Sequence, residues 1–329
     1  MILTIEELKD LVTGAVELEM RDGMFRFCRF SADQAEKYLT VKNNEDFFNK
    51  TAATAGVRLE CVTDATAVSF DFYARRCSSR KFCAFDVYLD DVLVRHVGAD
   101  NLESGEWSGH FHTELPQGEH KFSLYFPNLF GMQISAPELE NATKVEAVDY
   151  RYKMLCFGDS ITQGYDSVYP SLSYVNRMAT VLGASVVDKG IGGDRFFPAL
   201  TEVDDGYTPD LVTVAYGTND WCGSPREEFE TNLRGFMKGL SLRYADAKVF
   251  IVTPIWRGNW EDPTKKAGSF LQVAAEIRAE AEKYGFTVID GMKLMPHDPT
   301  FFMPDVLHPN DIGMLWYGEQ LAREIQKSL

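Results

Sequence analysis

The sequence predicts an α/β protein in which an antiparallel β-sandwich precedes a domain built on a parallel sheet with helices on both faces. In residues 1–150, short runs rich in β-branched and aromatic residues are separated by turns, and several of them alternate apolar with polar residues. In residues 151–329, near-continuous apolar strands alternate with amphipathic stretches of helical length. We therefore expect two domains, 1–150 and 151–329.

The first domain is predicted to start with two short helices, over residues 5–11 and 32–39. Thr4 and Glu7 have the spacing of a capping box, in which each side chain binds the backbone of the other residue. The strands that follow are predicted to begin at Gly56, Ala67, Ala84, Val92, Gly109 and Lys121. Frequent short strands of this kind favour an antiparallel sandwich.

The second domain repeats the order strand, loop, helix. Strands are predicted over residues 152–157, 184–188, 211–216, 248–253 and 286–290, and the main helices over 226–244, 266–284 and 310–327. Parallel sheets of this type bind their ligands at the carboxyl ends of the strands. Functional residues are therefore expected in the loops that follow the strands.

Composition and charge exclude several classes of protein. The chain has 329 residues, of which 45% are hydrophobic and 25% charged, so it can bury a sizeable core. Its formal net charge of −16 opposes binding to nucleic acids and to anionic membranes, and neither is expected as a partner. The N-terminal residues lack the pattern of a signal peptide, and no apolar run is long enough to span a bilayer. We therefore expect a cytoplasmic protein.

The loop after the first parallel strand contains a candidate nucleophile. It reads Gly158-Asp-Ser-Ile-Thr-Gln-Gly164, so Ser160 lies between glycines at the edge of the sheet where ligands bind. A helix is expected to start there, with backbone amides directed at the serine. An ordinary turn is the alternative.

The next two loops contain candidate donors for a negatively charged oxygen. Gly193 lies in the glycine-rich loop after the second strand, where a backbone amide can approach a substrate closely. A phosphate-binding loop is disfavoured there, because the lysine and hydroxyl residue of a P-loop are missing. Asn219 follows the third strand and offers a side-chain amide at the same edge.

A histidine and an aspartate precede the last predicted helix. His308 could take a proton from a serine, and Asp305 is close enough in sequence to orient its ring. Isolated histidines are mostly structural, so this pair means little alone.

The four segments together are similar to the four blocks of the SGNH hydrolases, also called the GDSL esterase and lipase superfamily. The similarity covers residues 151–329 and implies a three-layer α/β/α, flavodoxin-like domain. It implies Ser160 as nucleophile, His308 as base and Asp305 as the residue that orients the base. The amides of Ser160 and Gly193 and the Asn219 side chain then form the oxyanion hole. No metal or cofactor is required.

The preceding sandwich resembles, in architecture, the jelly-roll module of two-domain carbohydrate esterases. The combined resemblance implies a serine esterase of short-chain esters, most of all an O-deacetylase that acts on a carbohydrate. The substrate is then a small molecule or an oligosaccharide ester. A short-chain lipid or general acyl esterase is one alternative. A sugar-binding protein with a non-catalytic hydrolase fold is the other.

Three tryptophans are candidates for substrate binding. Trp221 follows Asn219 closely and could form a wall of a short acyl pocket, while Trp256 and Trp260 lie on the loop after the fourth strand. Flat rings suit a sugar or an acyl chain, and ordinary packing is the alternative.

The remaining histidines offer weaker possibilities. His297, next to Asp298, fits the catalytic pattern less well than His308 does. His110 and His112 alternate along a predicted strand, with His120 nearby, but no residue defines a complete metal site. A solvated sheet face is the favoured interpretation, and no metal is expected.

Overall fold

The computed structural model describes residues 1–329 and has the predicted fold class. Two antiparallel sheets form the N-terminal part, and a parallel sheet of five strands with helices forms the C-terminal part. None of the helices has both the length and the apolar composition needed to cross a bilayer.

The N-terminal part contains twelve strands. They are β1 (Val12–Thr13), β2 (Glu17–Arg21), β3 (Met24–Cys28), β4 (Arg58–Thr63), β5 (Ala67–Arg76), β6 (Cys83–Leu89), β7 (Val92–Ala99), β8 (Glu106–Glu114), β9 (His120–Tyr125), β10 (Phe130–Ile134), β11 (Glu138–Glu140) and β12 (Val145–Ala147). One sheet has the order β1-β4-β9-β6-β7, with β12 also on β4. The other has the order β11-β5-β10-β3-β2, with β8 also on β5. The inner faces enclose an aromatic core that includes Phe70, Phe85 and Phe126.

The parallel sheet is formed by β13 (Tyr152–Gly158), β14 (Ala184–Gly190), β15 (Leu211–Ala215), β16 (Lys248–Val252) and β17 (Thr287–Ile289). Its strand order is β14-β13-β15-β16-β17. This is the flavodoxin-like order, in which the first strand of the domain lies between the second and the third. Gly158 is in register with Gly190 on one side and Ala215 on the other, so these strands end level. The loops that follow them are therefore brought together.

The chain also contains nine α-helices and three short 3-10 helices, Pro170–Leu172, Gly291–Lys293 and Pro299–Phe301. The α-helices are α1 (Ile5–Leu11), α2 (Ala32–Thr40), α3 (Glu45–Lys50), α4 (Tyr174–Leu182), α5 (Ala199–Glu202), α6 (Thr218–Gly223), α7 (Arg226–Arg243), α8 (Phe270–Glu282) and α9 (Asp311–Gln326). Side chains of α7 and α8 cover one face of the parallel sheet, and those of α4 and α9 cover the other. The result is a three-layer arrangement.

The segment with α2 and α3 packs on the parallel-sheet part of the molecule although it precedes most of the sandwich in sequence. Phe30 and Tyr38 are buried in the same apolar cluster as the β13 and β14 side chains. Arg29 is fully buried and donates hydrogen bonds to the backbone oxygens of Ala53, at 2.6 Å, and of Gly190, at 3.2 Å. It also donates to the backbone oxygen of Asp188. The N-terminal segment thus binds the carboxyl end of β14.

The predicted start of α1 agrees with the structure, whereas other boundaries and elements differ from the prediction. The Thr4–Glu7 capping box is confirmed at the start of α1, with the Glu7 carboxylate accepting from the Thr4 amide at 2.8 Å. The predicted helix over 266–284 is shorter than expected, because Gly268 has a φ of +106° and Ser269 caps the helix that follows. The elements without a matching prediction are helices α3, α4, α5 and α6 and strands β1, β2, β3, β10, β11 and β12.

Replacement of Arg29 tests how much the buried guanidinium contributes to stability. Arg29→Ala leaves Asp188 as a buried carboxylate without its ion-pair partner, whose nitrogen lies 3.8 Å away. We expect the free energy of unfolding to fall by about 3–5 kcal/mol. Denaturant titration measures this change. Arg21→Ala, at an exposed arginine on β2, is the control, and an equal loss in both variants would contradict the assignment.

Candidate active site

The sequence-predicted site residues lie in loops at the carboxyl edge of the parallel sheet. Ser160 follows β13, Gly193 follows β14, and Asn219 lies in the first turn of α6, after β15. Asp305 and His308 lie in the loop before α9. The structure therefore brings together elements that are far apart in sequence.

Ser160 lies in a series of tight turns, and no helix starts directly after it. The expected helix is absent there because Gly164 and Asp166 have φ values of +84° and +65°, which interrupt a right-handed helix. The next α-helix, α4, begins at Tyr174. Gly158 is required before the serine, since a Cβ atom at this position would lie 1.9 Å from the Thr162 hydroxyl oxygen.

Ser160, His308 and Asp305 form a continuous hydrogen-bonded relay. The Ser160 Oγ lies 2.9 Å from His308 Nε2, and His308 Nδ1 lies 2.6 Å from Asp305 Oδ2. The other carboxylate oxygen of Asp305 accepts hydrogen bonds from the amides of Leu307 and His308, at 2.9 and 3.1 Å. Burial alone would raise the pKa of Asp305, but the ring of His308 and the two amides hold that pKa below its usual value. Asp305 therefore remains a carboxylate that can orient the ring.

The loop between Asp305 and His308 contains a strained residue. Val306 has a φ of +47°, a region that β-branched residues rarely occupy. Its amide donates to the Met303 carbonyl oxygen at 2.8 Å, and its own carbonyl oxygen accepts from the Gly258 amide at 2.8 Å. These bonds hold the turn that places the aspartate beside the histidine ring.

The candidate oxyanion donors have free hydrogens. The amides of Ser160 and Gly193 donate no hydrogen bond within the chain. Gly193 has a φ of +89°, a conformation that favours glycine. Asn219 Nδ2 donates to the Asp194 carbonyl oxygen at 3.0 Å, which fixes the amide and leaves its second hydrogen available.

Side chains from several elements hold the loop over residues 190–194. The Gly192 amide donates to Gln163 Oε1 at 2.7 Å, and Lys50 Nζ donates to the Gly192 carbonyl oxygen at 2.9 Å. The buried carboxylate of Asp194 accepts from the Tyr38 hydroxyl at 2.8 Å. It also pairs with Lys42. The loop is thus fixed in part by the N-terminal helices.

An open cleft borders this loop. It has a volume of about 640 Å³, and its wall includes Gly193, the aromatic rings of Phe47 and Phe197, and the polar side chains of Lys42 and Asn44. A cleft of this size and mixed polarity can accept a substrate group larger than acetyl.

Three of the buried aspartates near the site have raised pKa values. Burial raises the pKa of Asp159, Asp188 and Asp220 to about 7 in each case. Hydrogen bonds and the nearby guanidinium of Arg257 or Arg29 partly offset this effect at Asp159 and Asp188. Burial therefore opposes the charged form of all three carboxyl groups, and at Asp188 the Arg29 guanidinium counteracts this effect.

One group of side chains has the arrangement of metal ligands. The donor atoms of Asp166, Asp305 and His308 all lie within 4.8 Å of one another. Both Asp166 oxygens, however, accept hydrogen bonds from Arg80 at 2.7 Å, so a cation would have to compete with a guanidinium. His110 and His112 do share one face, but His110 pairs with Asp71 at 2.8 Å.

The tryptophans differ in their access to the site. Trp221 is 0% exposed, packs edge-on against Phe270 and donates to the Gly268 carbonyl oxygen at 3.1 Å. The expectation that it lines the acyl pocket is corrected, because its ring is enclosed by the core. Trp256 is also buried and stacks on His297, with 5.5 Å between ring centroids. Trp260 is half-buried and keeps part of its surface open.

The sequence analysis missed several residues at the site. Asp166 and Tyr165 lie beside the histidine, and Arg80 binds Asp166. Lys42 and Tyr38 contact the loop after β14. Asp166 lies only six positions after Ser160, so its proximity in sequence was a usable signal. The other residues come from separate elements and carry no local pattern.

Comparison with known proteins gives one family for the C-terminal part. Residues 156–315 match the GDSL-like lipase/acylhydrolase family. A GDSL esterase/lipase of Arabidopsis thaliana is 24% identical over 213 residues, which are 54% of this chain and 87% of that protein. An acetylxylan esterase of Xylanibacter ruminicola is 26% identical over 214 residues, which are 53% of this chain and 43% of that protein.

Solved structures are similar over almost the whole chain. The salicylyl-acyltransferase SsfX3 of a tetracycline biosynthetic pathway has a TM-score of 0.80 and 22% identity, with 96% of this chain and 94% of that chain covered. A family two carbohydrate esterase from Clostridium thermocellum, in complex with cellohexaose, has a TM-score of 0.67 and 16% identity, with 96% and 98% covered. At these identities the similarity establishes the fold, including the sandwich that precedes the α/β/α domain.

The buried carboxyl group of Asp220 predicts a pH-dependent stability. Its Oδ1 accepts from the Phe196 amide at 3.3 Å, and its Oδ2 has no partner. Burial and then repulsion by Asp194 raise the pKa of Asp220 to about 7 in the folded protein, against about 3.9 in an unfolded chain. The stabilisation from the neutral group is complete below the unfolded value and is lost as the pH rises through about 7.

Asp220→Asn removes this titration. Relative to the unchanged protein, the variant should gain about 2–3 kcal/mol of stability between pH 5 and pH 8, measured by denaturant unfolding at both pH values. Asp246→Asn, at an exposed carboxylate, is the control. A stability difference that does not change with pH would contradict the neutral state of Asp220.

Proposed function

We propose that this protein, a carboxylic ester hydrolase with a GDSL-like lipase/acylhydrolase domain over residues 156–315, is a serine esterase. Its proposed reaction is the removal of acetyl groups from carbohydrates. The observation that carries the catalytic part is the relay from Ser160 to His308 to Asp305, with 2.9 and 2.6 Å between the bonded atoms. The assignment of these roles to the residues is part of the proposal.

The relay supports acyl transfer through a covalent intermediate. Ser160 Oγ attacks the ester carbonyl carbon while its proton passes to His308 Nε2, and Asp305 stabilises the resulting imidazolium. The carbonyl oxygen becomes an oxyanion that accepts from the amides of Ser160 and Gly193 and from Asn219. The imidazolium then protonates the departing alcohol. Water, deprotonated by His308, finally attacks the acyl-enzyme and releases the acid.

Two of the similar proteins support a carbohydrate ester as the substrate. One relative is an acetylxylan esterase, and one similar structure is a carbohydrate esterase with bound cellohexaose. The cleft beside Gly193 combines aromatic rings with polar side chains, which suits a sugar. Trp260 keeps an open surface near the same edge and remains a candidate contact.

A short-chain lipid or general acyl esterase is the second candidate, supported by the similarity to an esterase/lipase of Arabidopsis thaliana. A purely sugar-binding protein is disfavoured, since nothing in binding alone requires an aligned serine, histidine and aspartate. The division into domains 1–150 and 151–329 and the cytoplasmic location stay predictions.

Ser160→Ala should abolish hydrolysis. Loss of the nucleophile is expected to lower kcat by at least about 10⁴-fold, because only the oxyanion hole and substrate binding would then contribute. The measurement is acetate release from acetylated xylo-oligosaccharides, beside hydrolysis of p-nitrophenyl acetate and octanoate. Preference for octanoate without release from the sugar would favour the lipid esterase, and turnover by the Ser160→Ala variant would disprove the nucleophile.

Replacement of each histidine tests which one is the base. His308→Ala should reduce kcat to nearly the level of Ser160→Ala. His297→Ala is the matched control, because His297 stacks on Trp256 and its Nε2 lies 2.9 Å from the Met292 carbonyl oxygen. It should retain most of the activity in the p-nitrophenyl acetate assay. Equal losses in the two variants would overturn the assignment.

Activity should fall on the acid side of neutrality. The base must be neutral to accept the serine proton, whereas Asp305 stays ionised because its pKa lies below the usual value. The rate should therefore fall as the pH decreases, because protonation of the base removes its ability to accept the serine proton. A kcat/KM that stays constant from pH 8 to pH 4 in a stable protein would contradict the mechanism.

A further inference from the structure

An arginine of the sandwich binds an aspartate that lies beside His308. Arg80 lies between β5 and β6, and its Nε and Nη2 donate to the two oxygens of Asp166, each at 2.7 Å. This is a bidentate pair of the strongest geometry, and Asp166 is only 6% exposed. The hydrogen bonds to Asp166 raise the pKa of the Arg80 guanidinium, so the cation is permanent.

The carboxylate that Arg80 holds faces the histidine. Asp166 Oδ2 lies 3.6 Å from His308 Nδ1, the same nitrogen that is 2.6 Å from Asp305 Oδ2. Two carboxylates are therefore directed at one ring nitrogen. Only Asp305 is close enough for a short hydrogen bond, because the oxygens of Asp166 are bound to the guanidinium.

Tyr165 contacts His308, Arg80 and the apolar core of the sandwich. Its ring lies nearly parallel to the imidazole of His308, with 5.8 Å between ring centroids. The guanidinium carbon of Arg80 lies 5.3 Å from the centre of the Tyr165 ring. Tyr165 itself belongs to the apolar core of the sandwich. The face of the histidine ring is thus packed against a residue that the sandwich buries.

We propose that Arg80 is a positioning residue for His308, supplied by the sandwich to the site in the other domain. It holds Asp166 away from the ring nitrogen and cancels its charge, so that Asp305 alone orients the imidazole toward Ser160. This inference rests on the proposed function, since it assigns a role within the relay. It gives the sandwich a role in positioning the catalytic base.

The charges around the His308 ring determine how substitutions of Arg80 and Asp166 change its protonation. Asp305 and Asp166 face Nδ1, Ser160 faces Nε2, and Tyr165 lies against the ring. The cations nearby are Arg80 on Asp166 and Arg257, which interacts with Asp159 and Asp305. Removing Arg80 leaves an uncompensated anion 3.6 Å from the ring, which favours the imidazolium. Removing Asp166 leaves the Arg80 cation uncompensated, which disfavours the imidazolium form of His308.

The test compares the acid limb of kcat/KM for p-nitrophenyl acetate in four variants. Arg80→Ala should move the midpoint of the limb up by about one pH unit, and Asp166→Asn should move it down. The double variant Arg80→Ala/Asp166→Asn should return it close to its original position. Lys81→Ala, which removes a neighbouring cation paired with the exposed Glu103, is the control and should leave the limb unchanged.

A purely structural ion pair gives a different result. In that case both single variants lose activity or thermal stability together, the limb does not move in opposite directions, and the proposal is overturned. If Arg80→Ala does not fold, the downward shift in Asp166→Asn still decides, because that variant keeps the arginine. Arg80→Lys, which retains the charge, should keep the limb within about 0.3 pH unit of the original, against the full unit of the neutral variant.

A readout without substrate separates this proposal from the proposed function. NMR titration of the His308 ring, assigned with His308→Ala, reports the same midpoints in a protein that has no esterase activity. Opposite shifts without turnover would support the positioning role and contradict the esterase. Turnover that depends on Ser160, without opposite shifts of the midpoint, would support the esterase and contradict the positioning role of Arg80.

Discussion

The guanidinium of Arg29 joins the N-terminal segment to the end of β14. A buried cation must have partners for its hydrogens, and Arg29 finds them in the backbone oxygens of Ala53, Lys50 and Gly190 and in the Asp188 backbone. Asp188 and Gly190 lie at the end of β14, whereas Lys50 ends α3 and Ala53 follows that helix. The loop that follows, with Gly193, therefore starts from a fixed point. Lys50, Lys42 and Tyr38 then hold the loop from the same segment.

The sequence predicted the parts of the molecule that local patterns encode. Ser160, Gly193 and Asn219 each follow a recognisable strand, and parallel strands that end level bring such loops together. The β2–β3 hairpin was missed although Asp22-Gly23, with φ values of +52° and +78°, is a standard signal for a two-residue turn. The Asp-Gly pair is therefore a local signal for this hairpin.

Other features could not be predicted, because they depend on contacts between distant residues. Nothing near Arg80 in the sequence indicates that its partner is Asp166, 86 positions away. The burial of Trp221 could not be predicted either, since an aromatic residue after a motif can face a pocket or the core. Its contact with Phe270 of α8 places it in the core. The helices α2 and α3 likewise pack on a sheet whose strands follow more than 100 positions later. The boundary between residues 150 and 151, drawn from composition, therefore separates residues that pack together.

The contact between Arg80 and Asp166 also has a consequence for the growing polypeptide. During translation Arg80 emerges first, Asp166 follows it, and His308 is the last of the three. Phe30 and Tyr38 have no apolar cluster to enter until the strands of the parallel sheet have been made. The site therefore cannot assemble before His308 has left the ribosome, and the aromatic side chains of the first segment stay exposed until the parallel sheet has formed.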